Sequence, residues 1–162
     1  MKMLVFAAAT AAVTTLALAH AQPAAVPLRQ AVAAAERLVG GKAFDAELET
    51  RRGQPVYEIS LVKDGRAVEV EIDPVTGRLI RQDRRAPPAP WDAGSLKAAQ
   101  SAPKPLAQTI AMVESSTKGR VTEISLERRK QRHYYEVELA GAQDREVRVD
   151  LQTGAITPVI DD

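Results

Sequence analysis

Apolar residues recur at helical spacing from Leu28 onward. Leu28, Val32, Ala35, Leu38 and Val39 fall on one stripe, with Arg29, Glu36 and Arg37 elsewhere. Pro27 suits the first turn of that helix, and Gly40-Gly41 suits its end. The pattern then becomes alternation. Phe44, Ala46 and Leu48 share one face of a strand, while Asp45, Glu47 and Glu49 share the other. Arg51 to Pro55 reads as a turn. Tyr57, Ile59 and Leu61 alternate with Glu58 and Ser60 in a second strand. Lys63-Asp64-Gly65-Arg66 carries the Asp-Gly pair of a hairpin. Val68, Val70 and Ile72 alternate with Glu69 and Glu71 in a third strand, and Leu79-Ile80 makes a short last one.

Between the last two strands lies Asp73-Pro74-Val75-Thr76-Gly77, which returns as Asp150-Leu151-Gln152-Thr153-Gly154. The aspartate can accept hydrogen bonds from the amides that follow it. Pro74 presets its own backbone angle, Thr76 and Thr153 can bond locally, and Gly77 and Gly154 can turn left-handed at no steric cost. This chemistry closes a turn and implies no catalysis.

The recurrence extends through the whole unit. A shift of 78 residues aligns Pro27 with Pro105, Glu36 with Glu114, Gly41 with Gly119, Leu48 with Leu126, Tyr57 with Tyr135 and Leu61 with Leu139. After one deletion the shift is 77, and Glu69, Val70, Asp73, Thr76 and Gly77 meet Glu146, Val147, Asp150, Thr153 and Gly154. A repeat of this length predicts two copies of one helix-strand-strand-strand unit. The expected architecture is α+β: two repeated units, 27–81 and 105–160, each an N-terminal helix on a three- to four-stranded antiparallel sheet. In the second copy Ile110, Val113, Ile124, Leu126, Tyr135, Val137, Leu139, Val147 and Val149 form the expected core. Residues 82–104, with Pro87, Pro88, Pro90 and Pro103, read as a Pro/Ala-rich linker, and Ser95 to Gln100 as a short helical turn within it. Trp91, in that linker, is expected to pack against one unit, with a partner anchor as the sharper alternative.

The first 21 residues change the bookkeeping. Met1-Lys2-Met3, an apolar Ala/Thr-rich run and Ala19-His20-Ala21 are the parts of a secretory signal peptide, with a cut expected after Ala21. The expected address is therefore periplasmic or secreted. Removing Lys2 brings the 22 Lys and Arg down to match the 21 Asp and Glu. A neutral chain lacks the basic excess that nucleic acid requires. The absence of Cys removes disulfides, thiol nucleophiles and thiolate metal sites together.

With these parts in place the chain resembles the PepSY domain family. The carriers are the N-terminal helix, the three-strand meander and the ending Val70-Glu-Ile-Asp-Pro-Val-Thr-Gly-Arg-Leu-Ile80. The second copy departs in having Leu151 where the first has Pro74. The resemblance implies a helix packed on an antiparallel sheet in exported or membrane-facing proteins. It implies a module found in propeptides of thermolysin-type metallopeptidases, thought to regulate or inhibit peptidases, with no catalytic residues and no cofactor.

The remaining chemistry is sparse. His133 stands beside Arg132 with no nucleophile motif near any Ser, so a catalytic triad is not expected. Glu58, Glu69 and Glu71 fall on the outward face, where a cation could relieve their repulsion, although a solvated face is the plainer reading. Arg128, Arg129, Lys130 and Arg132 form the sharpest charge cluster, read as a solvated hairpin tip or as contacts to an anionic lipid or acidic partner. Free sheet edges could take a partner peptide as an added strand. The expected function is a non-enzymatic exported binding module that regulates or inhibits a peptidase or another envelope protein. The alternative is a periplasmic sensor or carrier of a cation, lipid or other small ligand.

Overall fold

The computed structural model describes residues 26–84, 93–142 and 145–159. The expected signal peptide, 1–21, and Trp91 lie outside them. Helix α1 (Leu28–Val39) leads into strands β1 (Lys42–Arg51), β2 (Gln54–Lys63), β3 (Arg66–Ile72) and β4 (Leu79–Arg84). Helix α2 (Ala93–Ser101) follows. Helix α3 (Leu106–Thr117) then leads into β5 (Arg120–Arg129), β6 (Arg132–Ala140), β7 (Glu146–Asp150) and β8 (Ile156–Pro158). The two expected units are thus present, each a helix followed by an antiparallel meander.

Local chemistry repeats with the sequence. Both helices start after a proline, Pro27 or Pro105, whose extended backbone leaves the next residues free to turn. Glu36 accepts a bond from the amide of Ala43 at 3.0 Å, and Glu114 from that of Val121 at 3.3 Å. Each glutamate thereby ties its helix to the start of its own unit's first strand. Asp64 and Gly65, both at positive φ, make the expected primed hairpin. At the helix ends the copies differ. Gly40 is left-handed at the end of α1, but its counterpart Lys118 adopts the same conformation at φ 61° with a side chain attached. Lys118→Gly should therefore stabilise the protein by up to about 1 kcal/mol, read as a shift in the urea midpoint.

The units share one sheet. The strand order is β4-β3-β2-β1-β5-β6-β7-β8, a palindrome about the antiparallel contact of β1 with β5. Ala46 pairs there with Ile124, its own counterpart under the shift of 78. The pseudo-two-fold axis relating the units must pass through this pair. Each strand of the pair also carries an irregularity at matching places, between Ala43 and Asp45 and between Val121 and Glu123.

Both helices cover one face, and the core runs continuously beneath them from Leu28 and Val32 through Phe44, Ile59 and Ile124 to Val137 and Val149. Arg29 of α1 reaches Glu114 of α3 at 3.6 Å. The described parts of the expected linker, 82–84 and 93–104, are more ordered than its composition suggests. Residues 82–84 complete β4, and 93–101 form a full helix rather than a single turn. Alanine makes this happen: Ala99 and Ala102 are buried, small enough to let α2 lie on the core across the seam. Lys42 fixes it by donating to the carbonyls of Gln100, at 3.2 Å, and Ala102. A cation there also suits the negative end of the helix dipole.

Candidate functional site

The recurring turns are built as their residues predict. Asp73 Oδ1 accepts from the amides of Val75 at 2.8 Å and Thr76 at 2.9 Å. Asp150 Oδ1 accepts from the amides of Gln152 and Thr153 and from the Thr153 hydroxyl. The backbone amides of Thr76 and Thr153 are the main reason both carboxyls sit below their ordinary pKa. Gly77 and Gly154 close the turns at φ 69° and 73°. Leu151, the departure from the first copy, has a physical account. Both Pro74 and Leu151 are buried, but Leu151 has an amide, and that amide donates to the carbonyl of His133 at 3.3 Å.

The polar face of the sheet carries a feature that alternation alone does not show. Arg81, Glu71, Glu58, Glu47, Glu123, Glu138 and Glu146 stand directly opposite one another on successive strands, from β4 to β7. Six glutamates thus form one row. Directly opposed like charges are unfavourable. Glu47 and Glu123 accordingly have raised pKa values, chiefly from burial and then from neighbouring glutamates. Asp45, just off the row, is pushed up to about 7, first by burial and then by Glu47, Glu123, Glu127 and Glu58. Glu58 and Glu71, expected on the outward face, lie in the row, and Glu69 stands beside it on β3. Among the described residues no three His, Asp or Glu side chains are grouped to hold a metal ion.

The basic cluster divides. Arg129, Lys130 and Arg132 line a groove of about 610 Å³ at the hairpin end of the second unit, together with His133, Tyr134 and Arg148. Arg128 is outside that lining. Arg148 gives its Nε to Glu136 at 3.1 Å and lies 5.4 Å from the centre of the Tyr134 ring. At the matching end of the first unit a groove of about 1360 Å³ is lined by both signs, including Arg51, Arg52, Glu69, Glu71 and Arg81. The run of basic residues in the sequence pointed to the hairpin tip. It gave no sign that Arg148, from the neighbouring strand β7, would join it.

The two rims of the sheet are unequal. At β8 the amide of Val159 bonds to the Glu146 carbonyl, so by alternation residue 158 faces outward, and Pro158 has no amide to offer. The rim of β4 is six residues long and contains no proline. Leu79 and Ile80 are 41% and 53% exposed there, beside the first unit's groove.

A helix and meander repeated about a central strand pair is matched by a family model, described as the peptidase propeptide and YPEB domain, at residues 25–83 and again at 103–157. The chain belongs to the PepSY family. It carries the domain twice, in the order its internal repeat implied. Among solved structures it is similar to a candidate lipoprotein from Clostridium difficile 630, with 18% identity and a TM-score of 0.48 over 87% of this chain and 96% of that one. No curated protein matches it.

Proposed function

We propose that this PepSY pair is an exported, non-catalytic binding module that regulates or inhibits a peptidase or another envelope protein by taking an extended segment at the rim of β4. The observation that carries the reading is the inequality of the rims. One rim is blunted by Pro158, whereas the other is long, proline-free and flanked by exposed Leu79 and Ile80. Backbone groups at such a rim bind an added strand without needing any particular side chain, and pockets beside it select among side chains. The groove next to β4 offers both charges for that selection. The family description, which names peptidase propeptides, fits a partner of this class, and the signal-peptide pattern of residues 1–21 fits an exported one.

The test is inhibition of a thermolysin-type metallopeptidase on a peptide substrate. Wild type is expected to slow hydrolysis. Leu79→Lys/Ile80→Lys, which places charge on the rim while leaving the buried core untouched, is expected to abolish the effect. Hydrolysis unaffected by wild type, or equal inhibition by both proteins, would sink the reading.

A further inference from the structure

The two units are internal controls for each other, because one backbone plan carries two sets of side chains. At the hairpin ends they differ in one direction. Arg132, His133 and Tyr134 stand where the first unit has Gln54, Pro55 and Val56, and Arg148 stands where it has Glu71. Cross-strand pairing confirms the last exchange: Glu58 faces Glu71 in one copy, and Glu136 faces Arg148 in the other. The fold tolerates either set, so its stability does not demand the basic one.

We propose that the second unit's groove is a phosphate-binding site, taking the phosphate of an anionic lipid headgroup or of a free phosphate compound. Arg129, Lys130, Arg132 and Arg148 bring four permanent positive charges to one concavity of about 610 Å³. Its one acidic lining residue, Asp150, is already engaged as the acceptor that closes its turn. Arg148 is held in place by Glu136 through Nε and by the Tyr134 face, which leaves the outer edge of its guanidinium for a ligand. His133 lines the same groove, and its Nε2 is out of solvent with no hydrogen-bond partner among the described residues. One guanidinium fork is enough for a single carboxylate. Cations arriving from three strands match a group with more acceptor oxygens and up to two charges. The site lies at the opposite end of the sheet from β4, so it does not depend on strand addition there.

The experiment titrates the full chain with inorganic phosphate and follows the His133 imidazole by NMR, alongside co-sedimentation with phosphatidylglycerol vesicles. Phosphate is expected to shift the His133 signals. Arg129→Gln/Arg132→Gln removes two exposed cations and leaves the Arg148–Glu136 pair intact. It is expected to weaken binding by about tenfold or more, the scale of a lost charge-assisted bond. Arg52→Gln/Arg84→Gln, an equal change of charge on the first unit, is expected to change nothing. Vesicle binding displaced by phosphate would identify a lipid headgroup as the source. Phosphate binding without vesicle binding would identify a free phosphate compound. A silent His133 with no vesicle binding would overturn the proposal. So would equal loss in both double variants, or binding of an acidic peptide but not of phosphate.

Discussion

Asp45→Asn should make the protein markedly more stable at pH 8 and change it little at pH 3. Asp45 lies on the polar face just past the irregularity in β1, opposite Ser60. It is partly buried, and the charges around it from β1, β2 and β5 are mainly Glu47, Glu58, Glu123 and Glu127. Its folded pKa near 7 lies above the ordinary 3.8. The sign follows from linkage: stability tied to its proton is fully present below 3.8 and is lost as pH rises through about 7. Amide replacement keeps the shape and removes the charge. The gain at pH 8 is expected on the order of 4 kcal/mol, from a rise from 3.8 to about 7 at about 1.4 kcal/mol per pH unit. Urea denaturation at the two pH values checks it. An equal gain at both, or none at pH 8, would show that the carboxylate is relieved by a route the geometry does not contain.

Ile124→Ala is expected to destabilise both units together, by about 2–5 kcal/mol, the range for removing a fully buried branched side chain. Ile124 is completely buried and faces Ala46 on the pseudo-two-fold axis. A cavity there opens a core to which α1 and α3 both contribute. Hydrogen exchange should report it in the amides of β2 and β6 alike, and urea unfolding should remain a single transition. Loss of protection confined to β5 and β6 would mean that the halves are energetically separate despite sharing a sheet.

How much of this was legible in the chain depends on the scale. Period-two alternation placed Ile124, Leu126, Tyr135, Val137, Leu139, Val147 and Val149 in the core, and all are buried. Apolar periodicity failed at two leucines, one on the helical stripe and one on a strand. Leu38 sits at the margin of the α1 stripe and is 57% exposed, while the small Ala31 takes the buried place. Leu48 keeps inward parity, opposite Tyr57, yet is 52% exposed. Parity names a face of the sheet, and it does not say how far the helices extend over it. The repeat predicted two units but not that β1 would pair with β5. Pairing across copies is a long-range choice with no local signature. The glutamate row was therefore only half visible, because Glu47 meets Glu123 through that pairing alone. Turn chemistry at Asp73 and Asp150 was fully legible, since its donors and acceptors lie within a few residues of one another.

The central strand pair has one more consequence. A lone copy of the unit would leave its first strand bare along one side, and it could hide that side only by meeting a twin, which happens when molecules are crowded. Tethering the twins in one polypeptide makes their meeting independent of how dilute the protein becomes. A compartment open to the surroundings is a place where that independence matters.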